Sequence, residues 1–85
     1  MRLPLIKHFT EFVGQNDADF LQEAIETLES VTEVPSLKDE ELDVIGELLS
    51  NMYGALEVSA MINEGKSQKE ALNEFMKRVV GSIDK

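Results

Sequence analysis

The sequence contains no cysteine and no tryptophan, one histidine, two prolines, and eight Lys+Arg against seventeen Asp+Glu. Without cysteine, disulfides, thiolate zinc sites, iron–sulfur ligation and cysteine nucleophiles are all excluded. The shortage of cations leaves a net charge of −9, which repels phosphate backbones and anionic lipid, so neither nucleic acid nor membrane is expected as a partner. No apolar run approaches the ~20 residues that cross a bilayer. The N-terminal stretch lacks the unbroken apolar core and cleavage site of a signal peptide, so a cytoplasmic location is expected. The five glycines stand singly, and none forms a phosphate-cradling loop.

Catalytic and metal-binding patterns are equally sparse. His8 has no second ligand at a metal spacing and reads as a surface or packing histidine. No nucleophile elbow accompanies the serines, and no Glu-x-x-His offers di-iron ligands. Asp17-Ala18-Asp19 lacks the later glycine and oxygen ligands of a calcium loop. Asp39, Glu40, Asp43 and Glu47 cluster where they complement a helix N-terminus, and a weak cation site there is the alternative. No enzyme activity and no cofactor are expected.

What the sequence does have is helical periodicity. Its 85 residues, 42% hydrophobic, suit one domain over 1–85 with a small core. A first helix is expected over Leu3–Val13, with Pro4 in its first turn, Leu5, Ile6, Phe9, Phe12 and Val13 on one face, and Gly14 as a left-handed cap. A second, capped by Asn16 or Asp17, carries Phe20, Leu21, Ala24, Ile25, Leu28 and Val31, and ends ahead of Pro35. Ser36 and Asp39 suggest a capping box for a long central helix from Leu37 to Glu64. Its two apolar seams, Leu42-Ile45-Leu49-Met52-Leu56 and Val44-Leu48-Ala55-Val58-Ile62, predict neighbours on more than one side. Gly46 and Gly54 inside it signal either a kink or the close crossing of another helix. Gly65 caps the central helix. Ser67 and Glu70 then form a capping box for a last helix, whose stripe is Ala71, Leu72, Phe75, Met76, Val79, Val80 and Ile83. The expected fold is an all-α, four-helix compact domain with a long central helix and a C-terminal αα-hairpin.

Charge is uneven along the chain. Residues 1–64 hold 3 basic and 14 acidic groups, whereas Lys66, Lys69, Lys77, Arg78 and Lys85 make the last 21 residues net positive. These cations either complement the end of the last helix or form a docking patch for an acidic face.

The chain also resembles a family of short, uncharacterised bacterial all-helical proteins, a domain of unknown function. The resemblance is carried by Leu3-Pro4-Leu5-Ile6-Lys7-His8, by the run Ser36 to Ala55, and by Glu70 to Val79 with Gly81-Ser82-Ile83. It implies no activity, cofactor or catalytic residue. The association of that family's genes with thioredoxin-like and peroxiredoxin neighbours implies a redox-linked setting, which a chain without cysteine would serve as an accessory.

The function expected from these readings is a small acidic protein–protein interaction module. A self-associating homodimer is expected, formed through Met52, Tyr53, Leu56 and Met61 and binding another protein. A small-ligand or metal-binding helical carrier is the alternative. In the monomeric alternative to the dimer, the first helix folds over the same seam.

Overall fold

The computed structural model describes residues 2–83, with side chains through position 79. Four helices follow in order: α1 (Leu3–Gln15), α2 (Ala18–Val31), α3 (Asp39–Asn63) and α4 (Gln68–Ile83). α3, 25 residues and about 37 Å long, is the spine. α1, α2 and α4 each pack against it, and α1 also meets α2. The Cα atoms extend over 43 × 35 × 17 Å, so the molecule is about two helix layers deep.

Each helix end has a chemical cause. Asp17 opens α2 by accepting from the Asp19 N–H at 3.0 Å. α1 runs past the expected Gly14 cap to Gln15, because Asn16 closes it instead. The Asn16 N–H and the Asn16 Nδ2 each donate to the Phe12 carbonyl at 3.0 Å, so no left-handed residue is needed. Gly14 stays inside the helix. α3 begins two residues later than expected, and Lys38 takes the N-cap position that Ser36 was expected to fill. The Glu41 carboxylate accepts from the Lys38 N–H at 2.9 Å, which is the reciprocal half of a capping box. At the far end Gly65, with φ of 112°, follows Glu64. Its N–H donates to Ile62 and that of Lys66 to Met61, a complete Schellman turn into the αα-hairpin. Ser67 Oγ accepts from the Glu70 N–H at 3.1 Å. Glu70 reaches back to that hydroxyl rather than to the backbone N–H of the expected box.

The core is one cluster: Ile6 from α1, Leu21 and Ile25 from α2, Met52, Ala55, Val58 and Met61 from α3, and Ala71, Leu72 and Phe75 from α4. Met76 and Val79 continue the α4 stripe against it. The expected members Val80 and Ile83, like Lys85 of the basic zone, lie outside the described side chains. Gly54 is the point of closest approach. A Cβ there would lie 3.0 Å from Phe75 Cζ and 3.4 Å from Ile6 Cδ1, whereas one at Gly46 would meet nothing within 4 Å. Gly46 and Gly54 are about two turns apart, and only Gly54 lies where other helices cross α3.

Asn51 is fully buried in this apolar setting. Its Oδ1 accepts from the Arg2 N–H at 2.7 Å and its Nδ2 donates to the Glu47 carbonyl at 2.7 Å. The middle of α3 thereby caps the start of α1, whose own N-cap residue, Arg2, supplies no side-chain hydrogen bond.

Candidate interaction site

The residues expected at an interface divide. Met52 and Met61 belong to the core, Leu56 is half-buried, and Tyr53 is exposed, donating its phenol to Glu29 Oε2 at 2.5 Å. The physical reason is that α1, α2 and α4 pack on one side of α3, which takes Met52 and Met61 into the core and leaves Tyr53 open. The hydrogen bond to Glu29 raises the Tyr53 pKa, with burial and the carboxylate charge adding to it.

Val44, expected in the second seam of α3, is exposed, as are Leu3 and Val34, but the two exposed aromatic side chains that meet one another, Phe12 and Phe20, lie between α1 and α2. In each helix i,i+3 and i,i+4 spacing sets the lining residues beside one another: Phe12 beside His8 and Phe9 on α1, and Ala24 beside Phe20 and Leu21 on α2. The two-residue connection Asn16-Asp17 sets these flanks side by side. They line a groove of about 340 Å³ with Met52 at its floor. Phe12 and Phe20 meet edge to face, centroids 6.1 Å apart and planes at 82°. They remain 41% and 58% exposed. His8 stands edge-on to Phe9 at 6.1 Å and is exposed, in keeping with a surface histidine. The sequence patterns assign both Phe12 and Phe20 to core stripes. The signal that sets them apart is position, since each lies at the edge of its stripe beside the α1–α2 turn.

A larger cleft of about 490 Å³ separates α1 from α4, but its lining includes Lys7, Glu11 and Lys69, and Gln68 Nε2 donates to Glu11 Oε2 across it at 3.4 Å. That single hydrogen bond bridges the opening within the chain. The aromatic groove has no such bridge among the described hydrogen bonds.

The charged clusters resolve differently from one another. Among the described residues, no three His, Cys, Asp or Glu side chains converge to hold a metal ion. Asp39, Glu40 and Asp43 are exposed, and the Glu47 carbonyl and carboxylate accept from Asn51. In the basic zone Lys66 pairs with Glu74, and Arg78 pairs with Glu57 while stacking over Phe75 at 5.6 Å. The Glu74 hydrogen bond raises the Lys66 pKa; burial opposes it, and the charges of Glu74, Glu64 and Glu70 add to the rise. α4 continues to Ile83, so Lys77 and Arg78 stand short of its last turn. No helix among the described residues is long and apolar enough to cross a membrane.

The helices and their single core cluster define a compact all-α domain built on one spine. The chain belongs to the DUF6952 family, a family of unknown function, whose model matches residues 1–84. Comparison with curated proteins finds no match, and comparison with solved structures finds none.

Proposed function

We propose that this chain is a small acidic interaction module that binds another protein through the α1–α2 groove. The observation that carries the reading is the pair Phe12 and Phe20, held edge to face yet 41% and 58% exposed. Aromatic rings in a contiguous open patch are characteristic of binding surfaces, because desolvating them contributes strongly and their two side-chain torsions cost little to order. Leu21 and Met52 give the patch a packed floor, so a partner would meet a preformed surface.

Self-association is the second reading, favoured by the same open rings, which a twofold contact would cover in both copies at once. The test combines stability with assembly. The double variant Phe12→Ser/Phe20→Ser should keep its helicity and lose no more than about 1–2 kcal/mol, since both rings are only partly buried. In extracts of the native cell, the wild-type chain should elute in a complex larger than 9.5 kDa and the variant at that mass. Identical elution of the two would remove the groove from any assembly. A purified wild-type species at twice that mass would assign the surface to a second copy.

A further inference from the structure

Resting on the reading of the groove as a docking surface, we infer that its occupant is an amphipathic helix whose polar face is basic. Shape supplies the first argument. The groove runs between two helices joined by two residues, with aromatic walls and an apolar floor, which suits the i, i+3, i+4, i+7 anchors of a partner helix. Charge supplies the second. Glu23 lies one turn beyond Phe20 on α2, and Asp17, the cap of that helix, stands three residues before it; both side chains are exposed. The whole molecule carries −9. A Lys- or Arg-rich polar face laid over Phe20 meets carboxylates at the rim and is drawn by the overall field. A second copy would bring an equal negative charge and the same acidic rim to a twofold contact, so the electrostatics select against it.

The probe is a synthetic Leu/Lys peptide of about 18 residues, long enough to form a helix on the surface, with its Leu/Glu counterpart as the control. Each is titrated into the isotopically labelled full chain by NMR. The Leu/Lys peptide should bind saturably, with shifts concentrated at residues 8–12 and 20–24, and the Leu/Glu peptide should not. Glu23→Lys should weaken binding about tenfold, the scale of one interfacial charge pair. Phe20→Asp should weaken it by about tenfold or more, although it adds negative charge. Both side chains are exposed, and unchanged circular dichroism checks that the fold is retained.

Phe20→Asp binding as tightly as the wild type would show diffuse attraction and overturn the inference, as would equal binding of the two peptides. Concentration-dependent shifts at Phe12 and Phe20 without peptide would give the groove to a second copy and overturn it too. Rejection of both peptides by a chain that still elutes in a groove-dependent cellular complex overturns the basic-helix assignment alone. Loss of that complex overturns the underlying reading.

Discussion

At the residue scale, one missing methyl group sets how closely α4 and α1 approach the spine. Phe75 is 2% exposed, and its ring lies where a side chain at Gly54 would go. Gly54→Leu should therefore destabilise the fold by about 1–3 kcal/mol through overpacking, despite the better helix propensity of leucine. Gly46 faces open space, so Gly46→Ala should stabilise by about 0.5–1 kcal/mol. Urea midpoints of the two variants, moving in opposite directions from the wild type, check the assignment; shifts of the same sign would refute it. Sequence reasoning sees two helical glycines but not their difference. That difference depends on which face of α3 another helix crosses, and local pattern does not encode it.

At the element scale, most of the fold is legible because most helix boundaries are written in local chemistry. Asp17 caps α2, Gly65 turns α3 back, and Ser67 opens α4. The failures have local causes as well. Asn16 does at α1 what Gly14 was expected to do, and Glu41 draws the start of α3 to Lys38 in place of Ser36. Asn51 is illegible for a different reason. It is a polar residue within an apolar helix, and its partner, the Arg2 N–H, lies 49 positions away. Another long-range contact, Tyr53 to Glu29, ties α2 to α3. It holds the phenol protonated in the folded state, so folding binds more protons than the unfolded chain does above the ordinary pKa of 10.0. The stability it contributes is thus present below that pH and is lost as pH rises through the elevated value. A spectrophotometric titration of the sole tyrosine should give a midpoint above 10.0, returning toward it in Glu29→Ala. Equal midpoints would show that the hydrogen bond is not formed in solution.

At the scale of the whole molecule, depth decides which apolar residues become surface. A body 17 Å thick holds a spine and one covering layer. The helices of that layer bury the faces turned to α3 and leave their flanks open. This is why the stripes of α1 and α2 are readable in the sequence while the exposure of Phe12 and Phe20 is not. It is also why apolar surface expected along α3, at Met52 and Met61, lies in the core and reappears as open surface one layer further out. The measurement that tests the binding role of that flank most directly is in-cell photo-crosslinking, with a benzophenone amino acid in place of Phe20 and, as reference, in place of Glu26 on a different face of α2. The account expects a discrete adduct with another protein from position 20 and none from position 26. No adduct at position 20, or the same adducts from both positions, would contradict it.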